Sequence, residues 1–332
     1  MKAQLLHQPA PARDNPLQLA DIDRPTPDRD EILVRVHACG VCHTDLHVVE
    51  GDLTAPKLPI IPGHEIVGVV ETVGEAVSRF SPGARVGIPW LHRTCGVCEY
   101  CQRGQENLCE AATFTGYTAD GGYAEYTAVP AGYAVPIPDQ FSDVEAAPLL
   151  CAGIVGYRSL RLSDLKPGER LGLYGFGGSA HICIQVARHW DCPVYVFTRS
   201  PEHQAHARDL GATWVGEAQD TPPVPLDRAI IFAPAGWIVP LALGHLRKAG
   251  TLCINAIHMS PVPEMPYDLL WHEHTIRSVA NATRHDAETF LPLAAEIGIH
   301  TDTQTFALDE ANQVLHLLKE RRINGAGVLR LR

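Results

Sequence analysis

The feature that most limits how this chain can fold is a run of four cysteines, Cys95, Cys98, Cys101 and Cys109, on one short segment. Their C-x2-C-x2-C-x7-C spacing suits tetrahedral coordination of zinc by four thiolates, which leaves no coordination position open. Iron–sulfur clusters use differently spaced cysteines, and disulfides need an oxidising compartment and suitably placed Cα atoms. The spacing therefore predicts a structural zinc site, which does no chemistry itself.

Composition is that of an ordinary globular protein. The chain has 332 residues, of which 45% are hydrophobic and 20% charged, so two domains with ample core are expected. The net charge is -11 and no basic cluster occurs, which argues against nucleic acid or an anionic membrane surface as a partner.

The cysteine usage predicts a cytoplasmic protein. Residues 1–7 lack the apolar stretch of a signal peptide, and no segment has ~18 uninterrupted apolar residues. Ten cysteines without an export signal indicate reduced thiols. We assign six of them to zinc; the others are predicted to be packing residues, namely Cys39, Cys183, Cys192 and Cys253.

The predicted secondary-structure pattern changes near Cys151. Before it, runs such as 32–36 and 66–73 are typical of strands bounded by turns, which predicts an irregular, mostly β domain. After it, strands and helices alternate, which predicts a parallel doubly wound sheet. We expect strands at 170–174, 194–197, 229–232 and 251–254, and helices at about 179–190 and from Ser200 to near Gly211.

The last ~50 residues contain a predicted helix at about 308–321 and a final strand at 327–329. We expect this segment to fold back onto the N-terminal part of the chain. The predicted division is therefore a domain of residues 1–151 completed by 282–332, and a second domain of residues 152–281.

A glycine-rich turn follows the strand at 170–174. Residues 175–180, Gly-Phe-Gly-Gly-Ser-Ala, fit the dinucleotide-binding pattern G-x-G-x-x-A between a strand and a helix. Gly175 would make the tight turn, Gly177 would let a pyrophosphate approach the backbone, and Ala180 would permit close helix packing. We expect Gly178 and Ser179 to share in cofactor binding.

Two further motifs are Gly-Val-Cys-His-Thr-Asp-Leu-His at residues 40–47 and Gly-His-Glu at residues 63–65. With the cysteine run and the glycine-rich turn, they make the chain resemble the zinc-dependent medium-chain alcohol dehydrogenases, most closely the short microbial type, over essentially its whole length. The resemblance implies an α/β architecture, with a GroES-like catalytic domain beside a Rossmann cofactor domain. It also implies two zinc ions per subunit, hydride transfer between a primary alcohol or aldehyde and NAD(P), and a dimer or tetramer.

The resemblance further implies a catalytic zinc held by Cys42, His64 and Cys151, with the fourth position open for water or substrate. Asp45 would orient the imidazole of His64, and Glu65 would lie behind the metal. From spacing alone, Asp45 and Glu65 could equally be ordinary turn residues with no role at the metal.

Zinc there would act as a Lewis acid on the substrate oxygen. The resemblance implies that the proton leaves through Thr44 and the cofactor ribose to His47, which is otherwise a half-buried surface histidine. Trp90 and Leu53 would form walls of the substrate pocket.

The cofactor site departs from the family pattern at the end of its second strand. NAD-preferring relatives have an acidic residue there, whereas this chain has Thr198 followed by Arg199, so NADP is predicted to be preferred or accepted. Val155 and Ala326 replace a threonine and an arginine that relatives often have near the cofactor, and His43 is the expected replacement cation near the phosphates.

Three other functions share parts of this pattern. A zinc-free quinone or enone reductase is disfavoured because such proteins lack both cysteine sets. A polyol or threonine dehydrogenase often has a carboxylate in place of Cys151. A non-catalytic zinc- and nucleotide-binding redox sensor would not need Thr44 and His47, although the cofactor-site departures leave it open.

Overall fold

A computed structural model describes residues 1–54, 57–323 and 325–331. Within them the chain forms two compact units. The first contains Met1–Cys151, Thr283–Ala295 and His300–Arg332, and the second contains Ala152–Ala282 and Glu296–Ile299. The C-terminal segment therefore groups with the N-terminal half.

The strands, in chain order, are β1 Lys2–Leu6, β2 Leu17–Asp21, β3 Glu31–Val41, β4 Glu65–Val73, β5 Arg85–Ile88, β6 Leu91–Arg93, β7 Thr113–Phe114, β8 Tyr126–Pro130, β9 Val135–Pro136, β10 Leu171–Tyr174, β11 Val194–Phe197, β12 Trp214–Gly216, β13 Leu226–Ile231, β14 Leu246–Ile254, β15 Thr275–Ser278, β16 Thr303–Ala307 and β17 Ala326–Arg330.

The helices are α1 His43–Glu50, α2 Glu99–Gln102, α3 Asp143–Ala146, α4 Ala152–Leu162, α5 Gly178–His189, α6 Pro201–Asp209, α7 Ile238–Gly244, α8 Asp268–Trp271, α9 Arg284–Ile297 and α10 Ala311–Lys319. None of the described helices is both long and apolar enough to cross a membrane.

The first unit is built on a seven-stranded sheet with the order β16-β17-β3-β4-β5-β9, in which β8 also pairs with β3. The long strand β3 is antiparallel to β4, β8 and β17. Its inward-facing residues, such as Ile32, Val34 and Val36, are buried in one hydrophobic core. This core supports the two sequence motifs at residues 40–47 and 63–65, because α1 follows β3 and residue 64 precedes β4.

The second unit is built on a six-stranded sheet with the order β12-β11-β10-β13-β14-β15, and every pair in it is parallel. Strands β10, β11 and β13 are almost fully buried, as parallel strands covered on both faces should be. The predicted doubly wound sheet is confirmed.

Most predicted elements agree with the structure to within a few residues. The helix predicted at 308–321 is shorter: residues Leu308–Glu310 form a 3-10 turn, and α10 covers only Ala311–Lys319. The strand predicted at 229–232 begins earlier, at Leu226. The four cysteines predicted to be packing residues are buried, and every cysteine is a free thiol.

Candidate functional site

The start of α1 fixes the first candidate ligand. Cys42 is the N-cap residue, and its Sγ accepts a hydrogen bond from the backbone N–H of Thr44 at 3.3 Å. The carboxylate of Asp45 accepts the backbone N–H of Cys42 at 2.9 Å, which completes a capping box. A helix N-terminus favours negative charge, so it suits a thiolate at this position.

Asp45 also reaches the second candidate ligand. Its Oδ1 lies 3.1 Å from Nδ1 of His64 and accepts the backbone N–H of Gly63 at 3.2 Å. His64 and Asp45 are both buried, and Nε2 of His64 lies 3.3 Å from Sγ of Cys42. Asp45 thus directs the other ring nitrogen of His64 towards the thiols, the arrangement that orients a metal-binding histidine.

Cys151 and Glu65 complete the cluster. One donor atom from each of Cys42, His64, Glu65 and Cys151 lies within 4.8 Å of the others. Glu65 follows His64 at the start of β4, and its carboxylate lies against Gly40 of the neighbouring strand β3. A Cβ at Gly40 would overlap that carboxylate, so the glycine gives it room.

The electrostatics of the cluster favour a bound cation. Interaction with Cys151, followed by burial, raises the pKa of the Cys42 thiol well above its usual range. Burial, followed by the charge of Cys42, raises the pKa of Glu65. Burial acts to lower the pKa of His64, but the charges of Asp45 and Cys42 outweigh it, so that this pKa lies well above its usual range. Two thiols, an imidazole and a carboxylate form a donor set suited to zinc, whose charge would stabilise the ionised sulfurs.

Aromatic rings line one side of the cluster. Trp90 meets the imidazole of His64 edge-on at a centroid distance of 4.9 Å. Phe114 and Tyr117 stack on Trp90 at 5.3 Å and 5.8 Å, and their own centroids are only 6.5 Å apart, so both cover the same face of the indole. Leu53 is also half-buried against the core of this unit. Trp90 and Leu53 remain predicted pocket walls, and sequence reasoning missed the stack of Phe114 and Tyr117 on Trp90.

The predicted relay residues lie along α1. Thr44 is half-buried and His43 is exposed. His47 lies one turn after Thr44, with Nδ1 2.8 Å from Oδ2 of Asp52. Sequence reasoning missed Asp52, because no helix was predicted over residues 43–50 and its end could therefore not be placed.

The four-cysteine loop forms a second cluster, in which one sulfur from each cysteine lies within 4.8 Å of the others. The loop donates backbone N–H groups to its own sulfurs: Cys98 to Cys95 at 3.3 Å, and Cys95 to Cys109 at 3.5 Å. The backbone N–H groups of Val97 and Cys98 lower the pKa of Cys95 to about 6. Four thiols at this separation can bind zinc with no open position.

Two side chains anchor this loop to the rest of the first unit. Arg284, the first residue of α9, makes a bidentate ion pair with the buried carboxylate of Glu106, at 2.5 Å to Oε2 and 3.0 Å to Oε1. The same guanidinium lies over the ring of Tyr133 at 4.6 Å. The hydroxyl of Tyr133 accepts the backbone N–H of Thr94, the residue before Cys95, at 2.8 Å. Sequence reasoning missed this anchor because its partners are far apart in the chain.

The glycine-rich turn of the second unit has the geometry of a phosphate-binding turn. Gly175 has a φ of 92°, which favours glycine, and Gly177 is the N-cap of α5. A Cβ at Gly177 would meet nothing within 4 Å, so its backbone borders open space. Gly178 and Ser179 begin α5, whose positive N-terminus favours an anion.

The end of β11 carries the predicted specificity residues. Thr198 is buried, and its carbonyl accepts a hydrogen bond from Nε2 of Gln204 at 2.8 Å. Arg199 is exposed and makes no hydrogen bond or ion pair with any residue that the structure describes. No carboxylate stands at either of these positions to repel a phosphate.

Comparison with known proteins gives concordant results. The profile of the alcohol dehydrogenase GroES-like domain matches residues 28–139. The chain is 50% identical to a Mycobacterium tuberculosis protein named "Probable alcohol dehydrogenase AdhA", over 99% of this chain and 97% of that protein. It is 38% identical to an alcohol dehydrogenase of Geobacillus stearothermophilus, over 95% of this chain and 96% of that one. The structure resembles the cobalt- and zinc-bound thermostable alcohol dehydrogenase of Pyrobaculum aerophilum, with a TM-score of 0.90, 25% identity, and coverage of 100% of this chain and 99% of that one.

Proposed function

The chain belongs to the zinc-dependent medium-chain alcohol dehydrogenase family, and on that premise we propose that it interconverts primary alcohols and aldehydes with NADP(H) or NAD(H). The observation that carries the proposal is the cluster of half-buried Cys42 and Cys151 with buried His64, and with buried Glu65 beside them. If Cys42, His64 and Cys151 alone bind the metal, a fourth position stays open for a reacting oxygen, as in catalytic zinc sites.

Zinc bound in this cluster would supply Lewis acidity to the alcohol or carbonyl oxygen. Cys42, His64 and Cys151 would hold it, and Asp45 would keep His64 in the tautomer whose Nε2 is free to bind. Glu65 would balance charge beside the ligands, as its place in the cluster suggests. Trp90 and Leu53 would present an apolar surface that excludes water from the reacting carbon.

Two residues of α1 would carry out proton transfer. Thr44 would hold the proton that the alcohol loses, and His47 would pass it on to solvent. A second zinc in the loop of Cys95, Cys98, Cys101 and Cys109 would stabilise the fold without taking part in this transfer. The Pyrobaculum relative, described as binding cobalt and zinc, supports metal binding by this family.

The glycine-rich turn is the proposed pyrophosphate site, with Gly175, Gly177, Gly178 and Ser179 placing backbone N–H groups at the start of α5. We assign NADP as the preferred cofactor because Arg199 is exposed and unpaired within the described chain, and Thr198 offers no negative charge. His43, also exposed, is the proposed cation for the phosphates in place of the arginine that relatives often have at the position of Ala326.

Arg199→Ala tests this assignment. We expect wild-type kcat/KM to favour NADP over NAD, and the variant to lose about tenfold with NADP while NAD changes little, because only the 2′-phosphate is a partner for the guanidinium. Arg208→Ala, an exposed arginine of α6, controls for the loss of one positive charge. A strong wild-type preference for NAD, or an equal loss with both cofactors, would contradict the assignment.

We also propose that the protein forms a dimer or tetramer in the cytosol. All four residues of the edge strand β15 are exposed, and Tyr267 and Trp271 in the same unit are exposed by 67% and 65%. Open strand edges and exposed aromatic groups are commonly covered by a second copy. Sedimentation of the purified protein should give a dimer or tetramer; a monomer at micromolar concentration would contradict this part.

The oxidation of reduced nicotinamide in the presence of an aldehyde panel tests the activity itself. We expect turnover with primary aldehydes and loss of it on removal of zinc. Turnover of polyols alone would indicate a zinc-dependent polyol dehydrogenase instead. No turnover with fully metallated protein would indicate a non-catalytic redox sensor.

A further inference from the structure

The end of α1 brings a carboxylate to the proposed proton-transfer histidine. Gly51 closes the helix with a φ of 84°, and its N–H donates to the carbonyl of His47 at 3.1 Å. The N–H of Leu53 donates to the same carbonyl at 3.2 Å. The chain therefore turns back on the helix, and Asp52 lies with Oδ2 2.8 Å from Nδ1 of His47.

This contact has a consequence for the imidazole. A carboxylate is an acceptor only, so the neutral ring must carry its proton on Nδ1, which leaves Nε2 as the acceptor. The helix C-terminus, where His47 lies, also stabilises positive charge on the ring. The side chain of His47 is 20% exposed and that of Asp52 is 61% exposed, so the pair borders solvent.

We infer that Asp52 is a positioning residue for proton transfer, an inference that rests on the proposed function. In alcohol oxidation the substrate gives a hydride to NAD(P)+ and a proton to the relay. Nε2 of His47 accepts that proton while Nδ1–H remains donated to Asp52. The imidazolium then releases one proton to water for each dinucleotide reduced, and aldehyde reduction runs through the same steps in reverse.

The described charged groups on and around α1 differ from Asp52 in their charge or in their partners. His43 and Arg321 are cationic when protonated, and therefore oppose an imidazolium instead of stabilising it. The 3-10 turn Ala12–Asp14 and α10 pack against α1, and their charged side chains pair elsewhere: Arg13 with Asp14, Lys319 with Glu50, and His316 with Glu320.

A double-mutant cycle tests the inference on the zinc-loaded enzyme. We expect Asp52→Ala to lower kcat for alcohol oxidation about tenfold with KM for the alcohol nearly unchanged, because it removes orientation and charge from His47 without touching the substrate. Asp52→Glu should restore most of the loss. In a His47→Gln background, Asp52→Ala should have no further effect, because its role acts through the imidazole. Asp23→Asn, an exposed aspartate of the same unit, is the matched control.

The pH profile gives a signature that a purely structural role would not produce. Asp52→Asn keeps an acceptor but removes the charge, so the acid limb of kcat should move to lower pH while the fold and KM are retained. Long-range 1H–15N spectra of 15N-histidine protein, assigned with His47→Gln, should show the Nδ1–H tautomer in wild type and its loss in Asp52→Ala.

Equal losses from Asp52→Ala with and without His47, or an unchanged pH profile and tautomer, would overturn the role of Asp52 and leave the dehydrogenase assignment intact. Absence of NAD(P)-linked turnover in the wild type would instead overturn the proposed function, and the tautomer spectra would still report on the pair.

Discussion

The two clusters of candidate metal ligands take their donor atoms from different parts of the chain. The loop cluster takes all its sulfurs from residues 95–109 and is partly exposed, with Cys95 at the surface. The cluster at Cys42 takes its donors from three distant segments, at the start of α1, the start of β4 and the end of the first unit's N-terminal part. One cluster is encoded by local spacing, whereas the other exists only once the sheet has formed.

The electrostatics of the two clusters also differ. In the loop, backbone N–H groups lower the pKa of Cys95 to about 6. A hydrogen bond from the backbone N–H of Cys101 acts to lower the pKa of Cys98, but burial and the neighbouring thiols outweigh it and raise that pKa to about 11. In the other cluster, interaction with Cys151 and burial raise the pKa of Cys42. Burial of like-charged donors is costly without a cation, which is a common property of sites that do chemistry.

The largest effect is expected for Cys42→Ser. The variant should lose one metal ion per chain and about a thousandfold or more in kcat/KM, because Lewis-acid stabilisation amounts to several kcal/mol. Its melting temperature should stay close to that of wild type. Elemental analysis, steady-state kinetics and thermal melting measure the three quantities. Turnover that persists after metal loss would contradict a catalytic role for the metal at Cys42.

Cys98→Ser should have the opposite profile. It removes a ligand of the loop, where bound zinc contributes folding free energy, so the melting temperature should fall by roughly 5–10 °C. Residual kcat/KM at a temperature well below melting should remain far above that of Cys42→Ser. Unchanged metal content and stability would show that the loop holds no structural metal.

A smaller effect is expected for Arg284→Ala, which removes the anchor of the loop. Glu106 would remain buried without its partner, and we expect a loss of about 1–2 kcal/mol, reduced from the cost of a fully buried pair because Arg284 is partly exposed. Zinc release to a chelator should also become faster from the loop. Arg79→Ala, which breaks the exposed pair with Glu288, should cost less than about 1 kcal/mol; equal effects would contradict the role of the anchor.

Features built from residues that are neighbours in the chain could be predicted from the sequence. Spacing alone indicated the loop, and the strand–turn–helix setting of Gly175 indicated the dinucleotide turn. Ser200 and Pro201 predicted the start of α6, where Ser200 caps the helix as expected. These features depend on residues that are neighbours in the chain.

Long-range contacts could not be predicted in this way. The pair of Glu106 and Arg284 joins residues 178 positions apart, and nothing in either local sequence specifies the other. The stack of Phe114 and Tyr117 on Trp90 likewise depends on how two segments meet. The resemblance named Cys42, His64 and Cys151, and the fold brings them together; their catalytic roles remain proposals.

Metal counting joined to activity tests the whole account most directly. Purified wild-type protein and the Cys42→Ser variant would be analysed for zinc and assayed with NADP and a primary alcohol. We expect two zinc ions per chain with turnover in the wild type, and one zinc ion without turnover in the variant. Clearly fewer than two ions in the wild type, with no gain after reconstitution, would contradict it.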